Sequence, residues 1–248
     1  MLDLSIVLPA FNEADNIERS VRSCAEVSSR LGLQYEIIVV DDGSHDATVA
    51  VLEELKSEIQ GTLRCIQHPR NRGYGAALKS GLLAATGKKV FFTDADLQFD
   101  VRDLSSLLLR AAEVDIVAGY RAPRQDPPIR VLNGWAWSRL MRALFDLDVR
   151  DVDCAFKVFD QSVLRELPIH SIGAFVNTEI LVRAKAAGRT MCQVPVAHYP
   201  RSAGQASGAN IRVIARAFRE LSLLYGELKE LERAPQPSRA EGLPPNVQ

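Results

Sequence analysis

Residues 90–98 read Val-Phe-Phe-Thr-Asp-Ala-Asp-Leu-Gln, an apolar run followed at once by two carboxylates two residues apart. The run predicts a buried strand, and Asp94 and Asp96 stand where this strand passes into a loop. Because side chains alternate along a strand, the two carboxylates can reach one divalent cation together. Mg²⁺ and Mn²⁺ prefer such oxygen ligands and share their coordination sphere with phosphate oxygens. The alternative is a solvated turn with an aspartate that caps the next helix.

Apolar runs of this kind alternate with helical patterns through the first half of the chain. Strands are predicted at Leu4–Leu8, Tyr35–Val40, Leu63–Ile66, Val90–Thr93 and Val114–Ala118. Helices are predicted at Glu13–Leu31, Asp46–Ile59, Gly75–Ala85 and Val101–Ala112. Continuous apolar strands are typical of a sheet buried on both faces. The alternation therefore predicts an α/β fold, with a Rossmann-like and mostly parallel sheet flanked by helices.

Acidic or amide side chains follow three of these strands, as Asn12-Glu13, Asp41-Asp42 and Asp94-Ala95-Asp96. Ligands of parallel sheets bind beyond the carboxyl ends of the strands, so we expect these clusters to meet. Together they repel one another unless a cation or a donor-rich ligand is present. For Asp41 we favour hydrogen bonding to a nucleoside. For Asp42, contact with a bound ligand and capping of the next helix are equally favoured. Asn12 is equally consistent with a cap of the first helix.

The second half of the chain has a different pattern. Elements are predicted as a helix at Ile129–Phe145, a strand at Ala155–Phe159, a helix at Phe175–Ala187, a strand at Met191–Val196 and a helix at Ala209–Glu232. We divide the chain into a catalytic domain at 1–208, a C-terminal amphipathic helix at 209–233 and a disordered tail at 234–248, which is polar and proline-rich. The last helix can pack on the domain, dimerise or lie on a membrane.

The first of these helices is a candidate for peripheral membrane contact. It carries Trp135 and Trp137, and residues 119–150 hold six Arg against three Asp. Indole rings favour the headgroup level and arginines favour anionic lipid. The alternative is an ordinary amphipathic helix that packs on the domain.

Composition excludes several classes of protein. The 248 residues hold 30 Lys and Arg against 31 Asp and Glu, so the net charge of −1 argues against nucleic-acid binding. The four cysteines make no C-x-x-C and indicate free thiols in the cytosol. We expect no signal peptide and no membrane span, hence a cytoplasmic protein, at most peripheral on the inner membrane face. The histidines form no H-x-x-x-H pair, and neither a G-x-S-x-G nor a Walker A motif occurs.

Three elements occur together in a known order, namely Ile6–Glu13, Val39–Ser44 and Asp94–Gln98. Over Leu2–Gly208 the chain resembles the inverting glycosyltransferases of family 2, which have the glycosyltransferase A fold. It is most similar to the dolichol-phosphate mannosyltransferases and their bacterial polyprenyl-phosphate relatives. Further matches to that branch are Asn71–Ala77, Gly119–Arg121, Asp153–Lys157, Glu179 and Pro200–Gly204.

The resemblance implies roles for particular residues. A nucleotide-sugar donor would be bound by Pro9, Phe11, Glu13, Asp41, Asp42, Gly73 and Asp94. Mg²⁺ or Mn²⁺ would be held by Asp94, Asp96 and Gln98. The catalytic set would be Asp96 with the phosphate-binding Arg121 and Arg201, and the acceptor would meet Asp153, Lys157 and Glu179. The chain departs from the branch at Cys154–Lys157, where members often carry Ser-Gly-Phe-Arg.

Three functions stay open at this point. The first is metal-dependent transfer of a hexose, mannose from GDP-mannose, onto polyprenyl or dolichyl phosphate, an acceptor that is already an anion and needs no base. The second uses a UDP-sugar and a hydroxyl acceptor, for which Asp153 or Glu179 would be the base. The third is a non-catalytic subunit that binds lipid or nucleotide sugar. Arg121, Arg201 and the intact metal motif favour the first. The sequence does not indicate which oligomeric state the protein has.

Overall fold

The computed structural model describes residues 2–59, 61–200 and 211–233. Seven strands form one sheet: β1 (Leu4–Ala10), β2 (Tyr35–Asp41), β3 (Leu63–Gln67), β4 (Lys89–Thr93), β5 (Ile116–Arg121), β6 (Phe156–Asp160) and β7 (Met191–Val196). Their order is β3-β2-β1-β4-β6-β5-β7. The first four in this order are parallel, β6 runs antiparallel to both of its neighbours, and β7 is parallel to β5. The predicted mostly parallel α/β sheet is confirmed.

Helices cover both faces of this sheet. They are α1 (Ile17–Arg30), α2 (Thr48–Glu58), α3 (Tyr74–Ala84), α4 (Leu104–Arg110), α5 (Pro128–Phe145), α6 (Gln161–Glu166), α7 (Val176–Ala186) and α8 (Ile211–Arg233). A turn of 3₁₀ helix, Val101–Asp103, precedes α4.

The apolar residues of each central strand divide between two cores, one on each face of the sheet. In β2, Ile37 and Val39 join the core under α1, α2 and α4, while Ile38 and Val40 join the core under α3, α6 and α7. Strand alternation sends successive side chains to opposite faces, and helices cover both, so the whole strand is apolar.

Helix α1 begins at Ile17, four residues later than the sequence indicates. The reason is that the backbone N–H groups of residues 12–14 donate to side chains that follow β2, namely Ser44 and Asp46 in the loop and Thr48 at the start of α2. Asn12 has φ 55° and accepts a hydrogen bond from His45 N–H. The N-cap position belongs to Asn16, so the suggestion that Asn12 caps this helix is wrong.

Two further predictions needed correction. The strand predicted at Val114–Ala118 runs from Ile116 to Arg121, so that Arg121 stands in the strand. Helix α6 is not predicted from the sequence. Its N-cap residue, Asp160, accepts hydrogen bonds from the N–H and hydroxyl of Ser162. An Asp that precedes Gln-Ser is an N-cap signal that could have indicated this helix.

Helix α8 packs on the rest of the protein. Leu221 and Leu224 are buried in the core beneath α7, and Glu227 forms two hydrogen bonds to the Arg183 guanidinium. Of the three placements considered for this helix, the described residues show packing on the domain. Residues 209–210 and the tail from 234 lie outside the described residues, and the proposed division at residue 208 stays a prediction. Within the described ranges, no helix combines the length and apolarity required to cross a bilayer.

Candidate active site

The sheet reverses its strand order at β1, which has β2 on one side and β4 on the other. A crevice therefore opens beyond the carboxyl ends of these three strands, where a parallel sheet binds its ligands. The loops that leave β1, β2 and β4 carry the three predicted polar clusters to this edge.

Asp94 and Asp96 lie at the end of β4 and carry a strong mutual repulsion. The Tyr74 hydroxyl donates to Oδ1 of Asp94 at 2.9 Å, and the Gln98 N–H donates to Oδ1 of the buried Asp96 at 3.2 Å. Loss of hydration, and then the charge of Asp96, raise the pKa of Asp94 to about 7, and Glu13 adds to this effect. A bound divalent cation would relieve this repulsion.

The donor set fits a hard cation that keeps other oxygen ligands. Within the described ranges, no group of three or more His, Cys, Asp and Glu side chains is placed to hold a metal. Mg²⁺ and Mn²⁺ are commonly bound by one or two carboxylates, with substrate phosphates and water completing the sphere. The third predicted ligand, Gln98, donates its side-chain N–H to the carbonyl of Tyr199 at 3.2 Å, which leaves the amide oxygen available.

The residues predicted to bind the nucleoside gather around the ends of β1 and β2. Asp41 is buried and accepts from the Ser44 N–H at 3.2 Å, while Pro9 is buried within β1. Phe11 is 39% exposed, and its ring meets His45 edge to face. An exposed aromatic ring beside a buried carboxylate can stack on a base while the carboxylate accepts from it.

Asp42 holds the loop in front of α3. Its carboxylate accepts from the N–H groups of Arg72 and Gly73, at 3.0 and 2.8 Å, and hydrogen-bonds Nδ1 of His68 at 2.6 Å. Gly73 has φ 106°, and a Cβ there would stand 2.4 Å from the carbonyl oxygen of Ile172. Asp42 thus holds the loop between β3 and α3 through contacts with backbone N–H groups, which the sequence did not indicate. Direct contact of Asp42 or Gly73 with a donor stays a prediction.

Arg121 is paired rather than free. Its guanidinium donates two hydrogen bonds to Asp151, at 2.6 and 2.7 Å, and one to Asp126 at 3.1 Å. Burial opposes the charge, yet the Asp151 hydrogen bonds outweigh it and raise the pKa of Arg121. Arg124 completes this group by donating to Asp126 at 2.7 Å. A substrate phosphate would therefore meet a preformed ionic network, which the sequence did not indicate. Arg201 lies outside the described residues, so its role stays a prediction.

The three predicted acceptor residues differ in their surroundings. Asp153 lies at the surface, and loss of hydration to the surrounding protein atoms, followed by the Asp151 charge, raises its pKa to about 6. Lys157 is only 1% exposed and donates to the carbonyls of Val152 and Cys154 and to Asn177 Oδ1.

Glu179 is also buried, at 2% exposure. It accepts from the N–H groups of His170 and Ser171 and from Arg183 Nε. The structure thus gives Lys157 and Glu179 supporting places beside the crevice, and their contact with an acceptor stays a prediction.

The sequence of this chain matches a known family. Residues 5–168 match the family model described as glycosyl transferase family 2. The chain belongs to this family. Among solved structures, mannosyl-3-phosphoglycerate synthase from Rubrobacter xylanophilus is similar with a TM-score of 0.72 and 22% identity, over 98% of this chain and 79% of that one. Glucosyl-3-phosphoglycerate synthase from Mycobacterium tuberculosis, in complex with Mn²⁺, UDP-glucose and phosphoglyceric acid, is similar with a TM-score of 0.71 and 23% identity. The match covers 91% of this chain and 80% of that one. These likenesses confirm the glycosyltransferase A fold.

Curated relatives of this family 2 chain are longer than the chain itself. Glycosyltransferase AglD of Haloferax volcanii is 33% identical over 210 residues, which are 81% of this chain and 34% of that protein. The dodecaprenyl-phosphate galacturonate synthase of Rhizobium johnstonii is 30% identical over 171 residues, which are 68% and 51% of the two chains. The chain therefore spans at most about half the length of these two relatives.

Proposed function

We propose that this chain is a metal-dependent inverting glycosyltransferase that moves a sugar from a nucleotide-sugar donor onto a polyprenyl phosphate. The observation that carries the proposal is the pair Asp94 and Asp96 at the carboxyl end of β4, where loss of hydration and mutual repulsion raise the pKa of Asp94 to about 7. Such a pair is suited to a divalent cation bound together with a diphosphate. The family membership and the name of the galacturonate synthase support the reaction class and the acceptor.

Each side of the crevice has its own part in this reaction. Asp41 and Phe11 orient the nucleoside, and Asp94 and Asp96, with Gln98, would hold Mg²⁺ or Mn²⁺. When bound there, such a cation would supply Lewis-acid stabilisation of the charge that grows on the departing nucleoside diphosphate. The phosphate acceptor attacks in line without a base, because it is already an anion at neutral pH, and the anomeric centre inverts. The Arg121 network places that anion.

The donor expected from the sequence resemblance is GDP-mannose. The curated relatives widen this choice, since one is named for galacturonate and another, from Pseudomonas fluorescens, for 4-deoxy-4-formamido-L-arabinose. We therefore propose GDP-mannose as the first donor to be tested, within a panel that includes UDP-sugars.

One observation favours a second candidate function, transfer to a hydroxyl acceptor. Asp153 is exposed and has a pKa raised to about 6, which suits a general base near neutral pH. An acceptor hydroxyl would then lose its proton to Asp153 as the sugar is transferred.

The surface of α5 supports contact with a membrane at its cytoplasmic face. Ile129, Leu132 and Trp135 are 63%, 57% and 58% exposed, at a spacing of three residues along the helix. The Arg139 guanidinium lies 5.6 Å from the centre of the Trp135 ring. Trp137 instead donates to the Thr178 hydroxyl and packs against Phe175 and Phe218, among other neighbours. We propose that Trp135, and not Trp137, enters the lipid interface.

The deciding experiment measures transfer to two acceptors from a panel of donors. Undecaprenyl phosphate and the neutral undecaprenol are each offered with GDP-mannose, UDP-glucose, UDP-N-acetylglucosamine and UDP-galacturonate, with Mn²⁺ or with chelator. We expect a lipid-linked sugar from undecaprenyl phosphate alone, and only with the metal. Product formed with undecaprenol but not with its phosphate would favour the hydroxyl acceptor. Nucleotide binding without product from any pair would favour a non-catalytic subunit.

A further inference from the structure

The C-terminal helix α8 brings a guanidinium to the rim of the crevice. The aliphatic stem of Arg216 lies over Gly173, with Cδ 3.1 Å from the position that a Cβ on this glycine would take. The Nη1 atom reaches to 3.5 Å from the equivalent position on Gly73. The two glycines thus leave a slot that the Arg216 side chain fills.

A set of hydrogen bonds fixes this arrangement. Glu220, one turn after Arg216, accepts from the N–H groups of Ile172 and Gly173 at 3.1 and 3.3 Å. The carbonyl of Ile172 in turn accepts from the N–H of Gly75 at 2.9 Å. The segment at 172–173 therefore joins α8 to the start of α3, through the Glu220 side chain on one side and a backbone hydrogen bond on the other.

Arg216 reaches the start of α3, where two successive residues contact carboxylates that we assign to the donor site. Gly73 donates its N–H to Asp42 on the nucleoside side, and the next residue, Tyr74, donates its hydroxyl to Asp94 on the metal side. A diphosphate that joins a nucleoside near Asp42 to a sugar near Asp94 would run close to this segment. The phosphate of an acceptor that attacks the sugar must also approach the same region.

The charge of Arg216 is available for such a ligand. Its side chain is exposed, and no hydrogen bond or ion pair joins it to any residue within the described ranges. Arg121, by contrast, already donates to Asp151 and Asp126. An exposed guanidinium held in place by its stem can bind phosphate oxygens with two parallel N–H groups at low entropic cost.

We propose that Arg216 binds a phosphate group of one of the two substrates, and so that α8 is part of the active site. This inference rests on the proposed function, and it adds a residue outside the 5–168 segment that the family model matches. The phosphate belongs either to the nucleoside diphosphate or to the lipid.

The test compares Arg216→Gln with Arg219→Gln, a matched control at an exposed arginine three residues along the same helix. Dissociation constants are measured for GDP and UDP with Mn²⁺, and for undecaprenyl phosphate against undecaprenol in micelles. We expect Arg216→Gln to weaken one of the phosphate ligands about tenfold or more, with undecaprenol unchanged and Arg219→Gln within about twofold of wild type. Arg216→Lys, which keeps the charge but not the fork, should fall between them.

The outcomes separate this inference from the proposed function. Loss of nucleotide binding assigns Arg216 to the donor, and loss of undecaprenyl phosphate binding assigns it to the acceptor. Unchanged binding of both, or an equal loss in Arg219→Gln, overturns the inference while transfer by the wild-type chain still supports the function. If the wild type binds nucleotides but not undecaprenyl phosphate, the proposal of a lipid phosphate acceptor is overturned. The role of Arg216 is then tested by nucleotide binding alone. A wild type that binds neither class overturns both. Melting temperatures confirm that each variant is folded.

Discussion

The Tyr74 hydroxyl, at the first residue of α3, donates a 2.9 Å hydrogen bond to Oδ1 of Asp94 at the end of β4. Burial, and then the Asp94 charge, raise the pKa of this tyrosine well above its usual value, so the hydroxyl stays protonated at any working pH. The bond engages Oδ1 of Asp94, so the proposed cation would bind through the other oxygen. The tyrosine hydroxyl therefore orients this carboxylate in the absence of metal.

Replacing Asp94 by Asn should stabilise the metal-free protein at neutral pH. Asn keeps an acceptor for Tyr74 and removes the charge that burial and Asp96 oppose, and the folded-state pKa of Asp94 is about 7. We expect the melting temperature at pH 8 to rise by about 2–5 °C, the order of 1 kcal/mol for a chain of this size. The gain in melting temperature that Mn²⁺ gives the wild type should disappear.

The pH dependence of this effect has a definite sign. Between about pH 4 and pH 7 the folded wild type holds a proton on Asp94 that the unfolded chain has lost, so the wild type becomes less stable as pH rises through this window. The advantage of Asp94→Asn should consequently vanish near pH 4. Melting curves of the wild type and Asp94→Asn, recorded without metal from pH 4 to pH 8, test this expectation. A difference in melting temperature that stays constant with pH would contradict it.

Replacing Asp96 by Ala should abolish transfer and leave the fold intact. This residue lies in a loop after β4, and the change removes a cation ligand. We expect a loss of at least about a hundredfold in kcat, the order of one lost electrostatic contact in the transition state. Far-ultraviolet circular dichroism serves as the folding control. Full activity of the variant, or wild-type activity that persists in chelator, would refute the metal assignment.

Replacing Trp135 by Ser should weaken binding to anionic vesicles, because this indole is 58% exposed on α5. Trp137→Phe is the matched control, since Trp137 is packed inward and donates to Thr178. The control should lower the free energy of unfolding by about 1 kcal/mol and leave vesicle binding unchanged. Co-sedimentation with vesicles that contain phosphatidylglycerol measures the first effect. Equal binding by wild type and Trp135→Ser would argue against membrane contact through α5.

Replacing Asp151 by Asn should destabilise the protein, because Arg121, whose side chain is only 11% exposed, loses its two bonds to a charged Asp151 and keeps only the one to Asp126. We expect the free energy of unfolding to fall by about 1–3 kcal/mol. Asp148→Asn is the control, since its pair with Arg142 is on the surface and should change stability by less than about 1 kcal/mol.

The pKa of Asp151 is lowered, as the Arg121 hydrogen bonds outweigh the effect of burial. Its contribution is therefore complete above the unfolded-state pKa, near 3.9, and is lost as pH falls below it. Urea denaturation at pH 7 and pH 3 measures both effects. A deficit in Asp151→Asn that is as large at pH 3 as at pH 7 would show that the loss does not come from the ion pair.

The sequence by itself determined the type and order of most elements. An apolar run as continuous as Ile37–Val40, rich in β-branched residues, favours a strand covered on both faces, and acidic residues at the carboxyl ends of parallel strands share one edge of the sheet. Both inferences use local periodicity and a general rule of topology. Short elements such as α6 are not predicted, because six residues are too few to show a helical period.

Only the tertiary structure decided what each polar side chain does. Asp42 meets Gly73, Arg121 meets Asp151, and Glu220 meets the backbone at 172–173, each across some 30 residues or more. Periodicity shows which face of an element is buried, whereas the partner of a buried charge depends on how distant segments pack. The placement of Arg216 over Gly73 and Gly173 depends on the same packing, which brings α8 onto the start of α3.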